Sequence, residues 1–395
     1  MTTIRGPFFS YVPPQTAISA GGGVKLGVTM KFNAKFNALL LVAASAALLV
    51  GCGGPDTSKD NPKQPTGGTT GTAGSPGNAP ASGRVQNDIK ITLIAKSSNN
   101  PVFLSARTGA EAAAKALSVD GRTVTIDWRT PNEEDGTEQA RRIAAAVNDG
   151  TTAIILSASD AAKVKGAVDD AVDKGVPVFT FDSDVAGSKR FGFYGADDEL
   201  VGKQVMDELA ALAKPGEQLN VAILAGNQNA PNLQKRVKGA EDAAKAYPFI
   251  KLTGVVNHIE SPQDASAAVT REMNAKPEIN AWAMIGGWPL FNTSLLSLDP
   301  AKVKIVAVDA LPAELSYVDK GLAPVLLAQP VYDWGYKSVG FVIDKLDGKP
   351  VAEMNKMELI RVDKSNLQKW GKQLKDWGFT DVDPKYLAIG RSGRL

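Results

Sequence analysis

From residue 89 onward, short apolar runs alternate with longer amphipathic stretches, joined by short links. A strand that is apolar on both faces must be covered on both faces, and helical crossovers do this. The alternation therefore predicts parallel sheets held between helices. Residues 89–95 (IKITLIA), 124–128, 153–156 and 176–181 read as strands, with helices over 101–117, 136–147 and 160–174. Pro101 suits the opening turn of the first helix, and Ala, Leu, Glu and Lys carry it forward.

Residues 175–203 (GVPVFTFDSDVAGSKRFGFYGADDELVGK) form the pivot of the pattern. The strand at 176–181 stops at Asp182-Ser183-Asp184, a short strand follows at 191–194, and an acidic helix start follows at 196–199. The alternation then restarts. Helices at 199–213, 231–246, 263–274 and 290–296 interleave with strands at 219–225, 250–256, 281–285 and 303–308. A short helix at 311–320, a strand at 323–328, a helix at 334–346 and a strand at 356–361 close the body. The tail, 366–395, carries Trp370 and Trp377 and is expected on the surface of the second half. Each run of alternation is long enough to bury a core of its own. The expected fold class is α/β, with two doubly wound parallel-sheet lobes and several chain crossings between them.

The N-terminus reads as an address. Lys31 and Lys35 precede an apolar run at 38–50 that is too short to span a bilayer but suits a signal-peptide core. It ends in Leu49-Val50-Gly51-Cys52, which resembles the lipobox of bacterial lipoprotein signal peptides and implies cleavage before Cys52 and lipidation of its sulfur. Residues 1–51 form the signal-peptide region, with translation expected to start at Met30. Residues 52–87 hold Cys52 and a Gly/Pro/Thr/Ser-rich tether with an r.m.s. span of about 30 Å. Residues 1–51 hold four basic side chains and no acidic one, so the rest of the chain is slightly acidic and no nucleic-acid partner is expected. Cys52 and His258 are single, which excludes an intramolecular disulfide and a His/Cys zinc site; no metal or cofactor is expected.

Side chains just past the carboxyl ends of parallel strands line the ligand crevice of such sheets. Here they are Lys96 to Asn100, Ser157, Asp182, Gly226-Asn227-Gln228, Glu260, Gly286-Gly287-Trp288, Asp309 and Gln329. They offer many hydrogen-bonding groups, and Phe103, Trp288 and Trp128 could stack on a ring. Together they suit a small polyhydroxylated ligand. Helix capping accounts for Asn100, Asp160 and Asp309 as readily as binding does. Asp182 differs, because no helix follows it for several residues. Asp184 is expected to meet solvent or local backbone, and Phe103 and Trp288 serve equally well as core. Lys96 would be odd in a core, and His258 reads as a surface or satisfied histidine. Enzyme readings are weak. Asp182 with Asp309 could form a glycosidase pair, but any two strand-end acids would do so. The G-x-S-x-G and G-x-G-x-x-G patterns are missing, and before Gly202-Lys203 the first glycine of a phosphate loop is replaced by Asp197.

Residues 91–103 (ITLIAKSSNNPVF), 175–184 (GVPVFTFDSD), 305–309 (IVAVD) and 326–329 (LLAQ) resemble type I periplasmic sugar-binding proteins, the ribose-binding group of ABC-importer components. The resemblance covers roughly 88–362. It implies lobes of 88–196 with 330–358 and of 197–329 with 359–395. Three hinge crossings would join them near Ala196, Gln329-Pro330 and Glu358, with a sugar enclosed between the lobes. By position, Asn100, Phe103, Asp182, Asp309 and Gln329 fall on the family's ligand contacts. Lys96 with Asp182-Ser183-Asp184 is closer to the rhamnose- and autoinducer-2-binding branch. Gln234 stands where ribose binders place an arginine, with Arg236 nearby; Gly286 aligns with their asparagine and Glu260 with their aromatic residue. The expectation is a non-enzymatic lipoprotein, anchored through Cys52 on the periplasmic or cell-surface face of the membrane. It would act as a monomer, deliver a small neutral sugar or polyol to an ABC permease, and have Ser157 and Trp288 in the same pocket. A ligand sensor for a chemoreceptor or kinase is the alternative.

Overall fold

The computed structural model describes residues 87–387; the signal region, Met30, Cys52 and the tether lie outside the described residues. The first run comprises β1 (Asp88–Ile94), α1 (Pro101–Leu117), β2 (Thr123–Trp128), α2 (Gly136–Asn148), β3 (Ala153–Leu156), α3 (Ala161–Asp173), β4 (Val178–Phe181) and β5 (Gly192–Gly195). The second comprises α4 (Asp198–Ala211), β6 (Leu219–Leu224), α5 (Pro231–Ala244), β7 (Ile250–Val256), α6 (Pro262–Ala275), β8 (Ala281–Met284), β9 (Lys304–Val308), α7 (Leu315–Lys320) and β10 (Val325–Ala328). The chain then returns through α8 (Val331–Leu346) and β11 (Met354–Lys356), and ends with β12 (Ile360–Val362) and α9 (Leu367–Asp376).

Two six-stranded sheets result, ordered β11-β5-β4-β3-β1-β2 and β12-β10-β9-β8-β6-β7. Every pairing is parallel except β10 with β12. The central strands are apolar on both faces because helices cover both: β3, β4, β8 and β10 are buried at every residue. The chain passes between the sheets after β5, after β10 and between β11 and β12, which gives the three crossings of a two-lobed hinge. Asp135 and Asp160 cap α2 and α3 by accepting backbone N–H groups, and so face their own helices.

Local chemistry reshapes three segments. Residues 290–296 are not a helix but parts of two 3-10 turns, Trp288–Leu290 and Ser294–Ser297. Asn292 Oδ1 accepts Ser294 N–H and so competes with helical bonding between them. The strand expected at 356–361 splits, because the third crossing lies inside it. Met357 N still bonds Gly195 O in the first lobe, whereas Ala328 faces Ile360 in the second. The tail is more regular than expected and touches both lobes. Trp370 Nε1 donates to Ala310 O at 2.7 Å, while Trp377 lies parallel to Tyr332 of α8 at 5.8 Å.

Candidate functional site

The carboxyl ends of the two sheets bring their polar groups into one buried cluster. Asp182 follows β4 and Asp309 follows β9, and both take left-handed backbone angles, φ 56° and 76°. That conformation is costly for a residue other than glycine and recurs where a fold must aim a side chain. Asp182 Oδ2 accepts from Ser157 Oγ at 2.7 Å and Oδ1 accepts from Asn232 Nδ2 at 3.0 Å. Asp309 Oδ1 accepts from Gln329 Nε2 at 2.8 Å and Oδ2 from Gly287 N at 3.2 Å. Burial raises the pKa of Asp309, which Gln329 and Arg236 partly offset.

Two cations serve this cluster. Lys96, at the end of β1, is 2% exposed and donates to Asn232 Oδ1 at 3.3 Å. Its ammonium lies 3.9 Å from both Asp182 and Glu260. Burial works against the charge, but Glu260 and then Asp182 outweigh it and hold the pKa above its usual value. Arg236, on α5, donates to Asp198 Oδ1 (2.9 Å), Ile285 O (3.1 Å) and Gln329 Oε1 (2.9 Å). Burial lifts Asp198 to about 6 despite the guanidinium beside it.

The lobes touch through polar side chains. Asn232 of the second lobe bridges Lys96 and Asp182 of the first. Asn227 does the same for two acids: its backbone N–H reaches Glu260 Oε1 at 3.2 Å and its Nδ2 reaches Glu134 Oε2 at 2.8 Å. Burial, followed by the neighbouring Glu260, pushes Glu134 up to about 8. A cavity of about 940 Å³ opens here between the β2–α2 and β3–α3 loops of the first lobe and the β6–α5 and β7–α6 loops of the second.

Lys96, Ser157, Asp182, Glu260, Asp309 and Gln329 thus come together, whereas the other expected site residues divide. Asn100 is buried and caps α1 by accepting Val102 N–H. The ring of Phe103 is taken up by protein, stacked on Trp334 at 6.1 Å and edge-on to Phe181. Trp288 packs edge-to-face with His258 at 4.9 Å and folds over Gly286, where a Cβ would meet its ring at 2.4 Å. Gly286 therefore supplies room rather than a polar group. Asp184 binds Thr180, Val185 N and Arg190, a local structural role.

Gln234 is a correction: it is exposed, and its Nε2 donates to Gln228 O. In α5 it lies between Asn232 and Arg236, which turn inward on the same helix face while Gln234 turns out. The missed residues are Glu134, Asp198 and Asn232, while Arg236 stood in the sequence only as a neighbour of Gln234. Glu134 lies in the loop after β2, directly before the α2 cap Asp135, too far past the strand for the strand-end rule to find it. Asp198 is the first residue of α4 and Asn232 the second of α5, where sequence alone reads them as helix starts.

Two sheets whose strand ends converge on a buried interlobe cluster define a class of hinged binding proteins. Residues 91–350 match the family described as the periplasmic binding protein domain, and the chain belongs to that family. It is 26% identical over 198 residues to the D-ribose/D-allose-binding protein of Pseudomonas aeruginosa, covering 49% of this chain and 60% of that protein. It is 23% identical over 271 residues to the ribose import binding protein RbsB of Escherichia coli, covering 68% and 88% respectively. Among solved structures, GanP, a glucose-galactose binding protein from Geobacillus stearothermophilus, shares the fold. Its TM-score is 0.64 at 24% identity, over 71% of this chain and 99% of that one.

Proposed function

We propose that this protein is the extracytoplasmic substrate-binding component of an ABC importer, enclosing a small sugar or polyol between its lobes and presenting it to the permease. The observation that carries the reading is the pair Asp182 and Asp309. Equivalent strands of the two lobes each end in a left-handed aspartate, and both meet one buried network. Carboxyl oxygens accept more than one donor each, so vicinal hydroxyls can add to or replace the protein bonds already made. The relatives named for ribose and allose binding point to the same ligand class. Lipid attachment at Cys52, a membrane-surface location, a monomeric state and catalysis-free action complete the reading. Among the described residues no helix is long and apolar enough to cross a membrane.

The test is a thermal-shift screen of the full chain against pentoses, hexoses, deoxyhexoses and inositols, followed by calorimetry on the hit. A ligand at a thousand times its Kd stabilises the fold by about 4 kcal/mol, a shift of several degrees. Asp182→Asn keeps the side-chain shape and tolerates the left-handed backbone, and is expected to weaken binding at least tenfold. No shift across the panel, or full affinity in that variant, refutes the assignment. A hit that binds tightly yet is not taken up by cells carrying the adjoining permease favours the sensor alternative.

A further inference from the structure

The interlobe cavity beside the cluster is lined by several acids, with Lys163 and the Ser159 and Thr137 hydroxyls among its donors. Glu134 Oε1, His258 Nε2 and Ser159 Oγ are all buried without a hydrogen-bond partner, and all three residues line this cavity. His258 Nδ1 lies 2.7 Å from Ile259 O, so Nδ1 carries the proton and Nε2 is left as an acceptor. Burial depresses the pKa of this ring, which keeps it neutral. Glu260 reaches the same space from the second lobe, within hydrogen-bond reach of Glu134. Around the rim stand Glu133, Asp135 and Asp160, with Lys163 as the basic side chain among the lining residues. Of these, Glu133 is bonded to Asn99, and Asp135 and Asp160 to their own helix starts, so they add negative potential rather than free acceptors.

Two carboxyls that face each other beside a neutral imidazole acceptor favour a group that brings positive charge and several donors, and the Ser159 hydroxyl can turn to accept from it as well. A hydroxyl brings one donor together with acceptors of its own, whereas an ammonium brings three donors, no acceptor and a positive charge. We propose that the ligand is an amine-bearing sugar or polyol whose ammonium is taken by Glu134 and Glu260, with His258 Nε2 as third acceptor, while its hydroxyls meet the Asp182–Asp309 network. This rests on the sugar-binding reading and names its substrate class. Glu134 becomes the residue that sets specificity, because it contributes from the first lobe at the point where the second lobe brings Glu260. The proton that Glu134 holds, with its pKa at about 8, leaves as the ammonium enters, so binding at neutral pH exchanges one cation for another. Lys96, 3.9 Å from Glu260, stays paired with Asp182 and Asn232 throughout.

Calorimetry on the full chain with matched pairs separates the outcomes: D-glucose with D-glucosamine, D-galactose with D-galactosamine, and sorbitol with 1-amino-1-deoxysorbitol. At pH 7 one amine is expected to bind at least tenfold more tightly than its hydroxyl partner. It should release protons measurable in buffers of differing ionisation heat, and its affinity should rise with pH up to about 8. Glu134→Gln is expected to bring the ratio between the two members to about one. A hydroxyl member that binds as well as its amine overturns this inference and leaves the sugar reading standing. An amine preference untouched by Glu134→Gln also overturns it. No binding by either class of probe removes both.

Discussion

The two lobes are built to one plan with different contents. β1 to β5 and β6 to β10 take the same order in their sheets, so each strand end in one lobe has a counterpart in the other. The ends of β4 and β9 match closely: an aspartate with positive φ in each, bonded to the neighbouring strand end by Ser157 Oγ in one lobe and Gly287 N in the other. The ends of β2 and β7 match as well, each leading to a glutamate, Glu134 and Glu260. The ends of β1 and β6 do not. The first lobe places Lys96 there and the second places Gly226, and the second draws its cation from helix α5 as Arg236. The shared features fix where ligand groups can be met, and the unshared ones set the charge they meet.

The strongest test of a common plan lies away from the cluster. In each lobe, two helices cross with a glycine on both sides. A Cβ on Gly335 of α8 would lie 1.8 Å from Ala106 O of α1, and one on Gly202 of α4 would lie 1.8 Å from Arg236 O of α5. Gly109 and Gly239 complete the two crossings at 2.0 Å. Backbone cannot yield as a side chain does, so Gly335→Ala and Gly202→Ala are each expected to destabilise by about 3 kcal/mol or more. Urea unfolding measures both. A cost near zero in one lobe alone would show that its helices can move apart and that the plans differ in rigidity.

The aspartates should diverge. Asp182→Ala leaves the buried Lys96 ammonium short of a partner, and is expected to cost about 3 kcal/mol. That is the low end for a broken buried pair, because Glu260 remains at 3.9 Å. Asp309→Ala strands the Gln329 amide and Gly287 N–H, two neutral donors whose loss of partners costs about 2 kcal/mol in all. Equal costs by denaturant titration would mean that Lys96 contributes little at its present separation.

Periodicity made the fold legible. Apolar runs at 153–156 and 281–285 admit few alternatives once helical stretches flank them, and the alternation breaks visibly at the first crossing. The split of 356–361 between two sheets was not legible, because a strand pattern does not tell which sheet a residue joins. Of the cluster, Asp182, Asp309, Lys96 and Gln329 could be read because they end strands, a position that constrains where a side chain points. Arg236 and Asn232 sit on a helix face whose orientation depends on how α5 packs against α4, and nothing local distinguishes them from Gln234. Trp288 was legible as a candidate but not its role, since its place against Gly286 and His258 is a matter of tertiary packing.

The pH dependence of stability probes the matched glutamates. Glu134 is pushed up to about 8 by burial and by Glu260, its counterpart from the other lobe. A carboxyl whose pKa is higher in the folded chain binds protons more tightly there than in the unfolded one. Its contribution is therefore complete below the ordinary glutamate pKa and is lost as pH rises through about 8. Across that window the stability of the wild type relative to Glu134→Gln should fall with pH, by at most about 1.4 kcal/mol per unit, and level off above it. Asp309 and Glu314, also raised by burial, remain in both proteins and drop out of the difference. Denaturant titrations at several values between pH 5.5 and 9.5 measure it. A difference that does not change with pH would show that Glu134 carries no proton at the lobe interface, and that the likeness of the two loops ends at sequence.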